Sequence, residues 1–407
     1  MKNCIYLLCI LILISCKDDD LDREMINVAI PEFASKADVR ASMSISSPEA
    51  ILQPGKIYTY NNYIFVNDVF NGVHVVDNSN PSSPIKVAFL KIPGNEDISI
   101  KNNYLYADSY MDLLVFDISE IANIQFVERL EDVFSIYDYQ IPASAEFADF
   151  EYSDLEQNVI VGWTLEQRER RLNEAIVQID TFAAANDSGN SVGTGGSLAR
   201  FQIVEDYLYT VGNFEMSIFN ISNLSQPTLS NTQYAGWNIE TMFQADNYLY
   251  LGGTNGMYIY SLEDAEYPTY VSEFIHWEGC DPVVVDGDYA YLTLRGGNDC
   301  GVQDSVLEVI DISDKTQPTL ITTYLLDNPY GLGFKEDMLF ICDGTSGLKV
   351  FDKTNPTNLQ LVQTFGAIQA TDVIPLEDRL LMIGDAIIYQ YQYTNTGIEL
   401  LSTFSLN

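Results

Sequence analysis

Positive charge is scarce in this sequence. It carries 20 Lys+Arg against 58 Asp+Glu, for a formal net charge of -38 over 407 residues. A field of that sign repels a phosphate backbone, which excludes nucleic acid as a partner. Histidine is nearly missing, with only His74 and His276, and that leaves little for His-based metal sites or His-assisted triads. No EF-hand calcium loop is present. The Gly/Ser-rich stretch from Asn186 to Ser197 lacks the Gly-Lys-Ser/Thr ending of a phosphate loop and reads as a flexible surface loop. The apolar run Ile5 to Ile14 is too short to span a bilayer comfortably. What is abundant is aromatic residues and glycine, with 26 Tyr, 20 Phe and 25 Gly, which lean toward β structure and turns.

The first residues read as an address. Lys2 is followed by the apolar run and then by Leu13-Ile14-Ser15-Cys16, which resembles a bacterial lipobox. That resemblance implies a signal peptide over residues 1–15, cleavage before Cys16, and lipidation of Cys16 as a membrane anchor. Lys17-Asp18-Asp19-Asp20 then resembles the acidic export tag of Bacteroidota surface lipoproteins, which implies an outer-membrane protein facing outward. Residues 16–45 read as a flexible acidic tether with one strand near Ser42–Ile45.

Self-comparison organises the remainder, residues 46–407. An aromatic strand follows a polar turn at Asn62-Tyr63-Ile64-Phe65, Asn103-Tyr104-Leu105-Tyr106, Asp206-Tyr207-Leu208-Tyr209, Asn247-Tyr248-Leu249-Tyr250 and Asp288-Tyr289-Ala290-Tyr291, with weaker copies at Met338 and Arg379. Tyr63 to Tyr104, Tyr207 to Tyr248, Tyr248 to Tyr289 and Met338 to Arg379 are each steps of 41. Between Tyr104 and Tyr207 there is room for one enlarged, degenerate copy, with Val159-Ile160-Val161 as its anchor. Its Leu165–Glu174 stretch is the only helix-like segment. Each anchor leads into a second strand that ends in an Asp-x-Ser/Thr turn, as at Asp77, Asp117, Asp311 and Asp352, and these turns read as structural. Alternation is period two, and four short strands per unit of about 40 residues is the period of a propeller blade. The expectation is an all-β propeller of eight blades, or seven if the degenerate copy is not one. The strings Val73-His74-Val75-Val76-Asp77 and Leu348-Lys349-Val350-Phe351-Asp352, each followed by Asn-Pro a few residues on, resemble the LVIVD-repeat family of bacterial surface propellers. That resemblance implies a cell-surface location and no particular activity.

Three groups of residues stand out as chemistry. Cys280 and Cys300 sit in two loops of one blade that emerge on one face, so a disulfide between them is expected in an exported protein. Cys342 lies in an apolar strand and reads as a buried free thiol, and His74 as a packed, hydrogen-bonded core residue. Asp97, Glu240, Asp281 and Asp372 open innermost strands, with Asp149 in a similar place in the degenerate copy. They could ring the axis as an oxygen site for Ca2+, with Arg200 as counter-charge, or simply bond their own turns. No other cofactor is expected. His276, Trp277, Glu278, Arg295 and Asn298, joined by Trp237, Tyr330 and Asp343 from the same class of loop, suit stacking on a sugar or gripping a peptide. No catalytic constellation is evident. The leading expectation is a non-catalytic binding or scaffold module for a protein, peptide or glycan at the cell surface. The competing one is a hydrolase or lyase that uses the axial carboxylates.

Overall fold

A computed structural model describes residues 23–135, 141–142, 144–150, 154–171, 194–195, 197–276, 282–296 and 304–407. These form eight sheets, matching the eight sequence anchors. Seven contain the same four-stranded antiparallel meander, over 54–91, 98–130, 201–234, 239–275, 283–325, 332–365 and 370–405, called blades 1 to 7 below. The eighth, built by the degenerate unit, has three strands and a different order. It consists of Arg23–Ser35 paired antiparallel with Asn158–Arg171 and parallel with Phe147–Ala148.

The seven meanders form the ring. Each pair of successive blades shares one apolar cluster, and the last of them joins blade 7 (Ile374, Leu381, Ile383, Ile388) to blade 1 (Ile57, Ile64, Val66, Val76). The inner strand of blade 2 meets that of blade 3 directly, so the eighth sheet stands outside the ring. Middle strands such as Tyr63–Asp68 and Tyr248–Gly253 are buried on both faces, and their first four residues are therefore apolar or aromatic without alternation. Outer strands such as Thr319–Leu325 have one covered face and alternate.

The repeated anchor has a local cause. Its first turn residue (Asn61, Asn102, Glu205, Asp246, Gly287, Glu336) has φ between 48° and 57°, the left-handed region that a tight two-residue hairpin loop demands. The second aromatic of each anchor is fully buried (Phe65, Tyr106, Tyr209, Tyr250, Tyr291, Phe340). Tyr106 Oη donates to the Leu224 carbonyl at 2.8 Å and Tyr209 Oη to that of Ala265 at 2.6 Å, so each clasps the next blade. The Asp-x-Ser/Thr turns behave as expected. Asp77, Asp117, Asp311 and Asp352 each accept from the backbone N–H two residues on, at 2.8 Å.

Three expectations need correction. Residues 23–35, read as tether, are a strand, and residues 36–41 are a short helix capped by Ser35. Arg40 on that helix pairs with buried Asp112 at 2.8 Å, tying the segment to blade 2. Residues 165–171, read as helix, belong to the strand Asn158–Arg171. Their helix-favouring Glu and Arg residues yield to backbone pairing with a partner more than 100 residues away, which no local pattern reveals. The third correction is the end of the Gly/Ser-rich stretch. Thr194 and Gly195 pair with Thr59 and Tyr58 on the inner strand of blade 1. Ser197 Oγ accepts from Leu332 N–H of blade 6 at 2.8 Å, and the Ala199 carbonyl accepts from Met242 N–H of blade 4. Ser197, Leu198 and Ala199 are all buried. A segment that touches the inner strands of blades 1, 4 and 6 crosses the axis, and small residues suit that confined path. The strand near Ser42–Ile45 is present as Ser44–Ser46, on the outer edge of blade 1.

Replacing Ser197 by Ala leaves the buried Leu332 N–H without its acceptor. The expected loss is about 1–3 kcal/mol of folding stability, read as a lower midpoint in urea with an unchanged slope.

Candidate functional site

One face of the ring carries two kinds of loop, those between second and third strands and those leading into the next inner strand. Phe70 N–H donates to the Asn95 carbonyl at 3.1 Å and Gly94 N–H to that of Phe70 at 2.8 Å, which locks one loop of each kind together. On this face, between blades 2 and 3 and under the strand Asn158–Arg171, lies a cavity of about 300 Å³. Phe70, Tyr110, Phe134, Trp163 and Phe214 supply aromatic walls, and Glu96, Asp108, Glu215 and Arg200 supply charge. Trp163 is held by an edge-to-face contact with Phe150 at 5.7 Å.

The polar wall is built from three blades. Asp97 opens the inner strand of blade 2 and is buried against Lys56 of blade 1, with Nζ to Oδ2 at 3.0 Å. The backbone N–H of Arg200, at the start of blade 3, donates to Asp97 Oδ2 at 2.7 Å. Burial pushes the Asp97 carboxyl up, against the pull of Lys56 and the N–H donors. Breaking such a buried pair costs about 3–5 kcal/mol, so Asp97 is committed to joining blades. The Arg200 guanidinium pairs with Glu96 and donates from Nε to the Val211 carbonyl at 3.2 Å. Asp108, near the end of the second strand of blade 2, accepts on Oδ1 from Asn95 Nδ2 at 2.7 Å, Glu96 N–H at 2.9 Å and Asp97 N–H at 3.0 Å. Burial, and then the neighbouring Glu96 carboxylate, push the Asp108 carboxyl up to about 7. Among the described residues Asp108 has no ion-pair partner.

The residues singled out in the sequence divide among several places. Asp97 bonds its own strand, accepting from Ile98 N–H at 2.7 Å, and Asp372 does the same from Val373 N–H at 2.9 Å. Glu240 lies in the inner strand of blade 4. Asp149 pairs with Arg168 at 2.6 Å on the eighth sheet. The Lys56 ammonium occupies the flank of Asp97 that a cation would need. Among the described residues no group of three or more His, Cys, Asp or Glu is placed to hold a metal ion. Arg295 lies over the Tyr330 ring at 4.3 Å. Nearby Asp343 is spent on Asp327 and Asn328 N–H groups and on Lys349. Trp237 is 44% exposed and meets cavity-lining Phe214 edge-on at 5.1 Å. His276 follows the outer strand of blade 4, with its ring 6.3 Å from Phe274. Cys342 is buried and free, with burial raising its thiol. His74 is buried, stacked on Phe89 at 4.2 Å with Nε2 3.3 Å from Asp68. Cys16, Trp277, Glu278, Cys280, Asp281, Asn298 and Cys300 lie outside the described residues.

Sequence reasoning missed Glu96, Asp108, Tyr110, Trp163 and Phe214. One signal was available. The fifth position of the anchored strands reads Asn67, Asp108, Val211, Gly252, Thr293, Cys342 and Ile383. Only one of these is a carboxylate, and it faces the cavity.

The LVIVD repeat pattern matches residues 55–89, 95–132, 195–233 and 280–325, in blades 1, 2, 3 and 5. No curated protein matches the sequence. Among solved structures, a proposed 6-phosphogluconolactonase of Bacteroides fragilis aligns with a TM-score of 0.54 at 10% identity, covering 91% of this chain and 97% of its own. A functionally unknown protein of Desulfotomaculum acetoxidans aligns with a TM-score of 0.54 at 10% identity over 84% and 99%. A Lactobacillus plantarum protein gives 0.53 at 12% over 89% and 95%. At these identities the likeness is one of fold.

The folded chain holds the Asp108 proton up to about 7, against an ordinary value of 3.8. Between those values the native state binds the proton and the unfolded chain does not. This group's contribution is therefore full below pH 3.8 and declines as pH rises to about 7. Asp108→Asn keeps the Oδ1 acceptor and removes the titration. Thermal melts are expected to show the variant gaining on the wild type from pH 4 to pH 8. Parallel pH profiles would contradict this environment for Asp108.

Proposed function

We propose that this chain is a non-catalytic binding module that takes its ligand in the cavity between blades 2 and 3. By this reading Cys16 anchors it to the outer membrane, facing outward, and the ligand belongs to a protein, peptide or glycan at the cell surface. The supporting observation is the cavity's asymmetry. In a ring of near-equivalent blades, an aromatic-walled recess with convergent polar groups lies where the strand Asn158–Arg171 of the enlarged unit covers blades 2 and 3. Lys56, Asp97 and Arg200 hold its polar wall rigid, which suits recognition.

A hydrolase or lyase is the second reading. What favours it is Asp108, a carboxyl poised near neutral pH beside Glu96, as a general acid would need to be. Loss of a detected turnover in Asp108→Asn, with ligand binding retained, would select it.

The binding reading is tested by probing glycan and peptide arrays with the solubilised full chain and its Trp163→Ala variant. Trp163→Ala is expected to weaken the wild-type hits at least tenfold, in line with the ~2 kcal/mol carried by a truncated aromatic anchor. Hits that survive Trp163→Ala and vanish in Arg295→Ala would move the site to blades 5 and 6.

A further inference from the structure

The cavity's charge pattern says more about its occupant. Among the described residues that line it are three carboxylates, Glu96, Asp108 and Glu215, and one guanidinium, Arg200. That guanidinium is already engaged with Glu96 and the Val211 carbonyl. Lys56 of blade 1 is likewise held, by Asp97. Asp108 is left with hydrogen-bond donors on Oδ1 and no counter-ion among the described residues. Trp163, Tyr110 and Phe214 line the same cavity. Asp108, a carboxyl with no counter-ion among the described residues in a recess that also has aromatic walls, offers a desolvated ammonium group both Coulomb and cation–π attraction.

We propose that the cavity takes an organic cation, an ammonium group on an apolar stem, with the ammonium set against Asp108 and Glu96 and the stem packed on Trp163 and Phe214. This rests on the reading of the cavity as the ligand site. An amino-terminal or lysine-bearing peptide and an amino sugar both carry that group. An anionic ligand would meet the local acids and the net charge of -38. The pH dependence follows from the same groups. Asp108 meets Glu96, Asp97 and Asn95 from the loop into blade 2, Tyr110, Arg200 and Glu215 line the same cavity, and Lys56 of blade 1 is held on Asp97. Burial and Glu96 keep its carboxyl protonated into the neutral range. An incoming ammonium favours the ionised form, so binding releases a proton and strengthens as pH rises.

The test is calorimetric titration of the solubilised full chain with benzylamine and with benzyl alcohol, its neutral counterpart of similar shape, at pH 5.5 and pH 8. Benzylamine is cationic throughout that range. It is expected to bind about tenfold tighter than the alcohol at pH 8, with the advantage shrinking several-fold at pH 5.5. Asp108→Asn, which retains the Oδ1 acceptor, is expected to abolish the preference. Trp163→Ala is expected to weaken both probes. If the alcohol binds as well as the amine and Trp163→Ala still weakens it, the cavity is a ligand site but not one for cations. If neither probe binds, the cavity reading itself fails. Amine binding that ignores both substitutions would place the cation elsewhere on this acidic surface and overturn the proposal.

Discussion

A sheet with two apolar faces has to cover both, and in this protein each blade does so only by packing on the next. The last blade must therefore find the first. Every blade is contiguous in the chain, so no strand is shared across the join. Closure rests on side chains: the apolar cluster between blades 7 and 1, and the paired amides of Asn78 and Gln390, which donate to each other's oxygens at 3.1 and 2.8 Å. Lys86 and Ser402 add bonds to the carbonyls of Leu406 and Pro81. Burying a side chain the size of Leu or Ile is worth about 1.5–3 kcal/mol, so the ring is held by the sum of its clusters, with the polar links setting register at the seam.

Symmetry of this kind supplies stability and no site. The proposed site lies at the break in symmetry. The stretch between blades 2 and 3 leaves the ring, contributes two strands to a separate sheet with the N-terminal segment, and re-enters by way of the axis through Ser197–Ala199. That one excursion fills the centre and roofs the cavity. Blades 1, 2 and 3 together supply the buried Lys56–Asp97 pair and the Arg200–Glu96 pair. These leave Asp108 facing the recess with a high proton affinity.

Much of this was legible in the sequence. The aromatic anchors, the polar turns before them and the Asp-x-Ser/Thr turns are each fixed by local geometry repeated many times, so their positions could be read directly. The burial of His74 and Cys342 followed from the strands that carry them. What could not be read depends on partners distant in sequence. The strand at residues 165–171 has helical composition and is extended only because Arg23–Ser35 lies beside it. Ser197 looks like part of a loop until Leu332 is seen to donate to it. The eight anchors gave eight sheets, but whether the degenerate copy joined the ring depended on blade 2 packing directly on blade 3. The axial carboxylates were noticed one by one. Their neighbour Asp108 lies two residues beyond the anchor Asn103-Tyr104-Leu105-Tyr106, where only its being the one carboxylate at that strand position sets it apart.

On the proposed function, ligand-binding capacity is concentrated where the enlarged unit covers blades 2 and 3. The most direct measurement is a set of crystal structures of the protein soaked in turn in isopropanol, acetonitrile and phenol, which settle where a surface gives up water most readily. All three are expected to cluster between Trp163, Phe214 and Asp108. Clustering on the Arg295–Tyr330 face, or no common site, would contradict it.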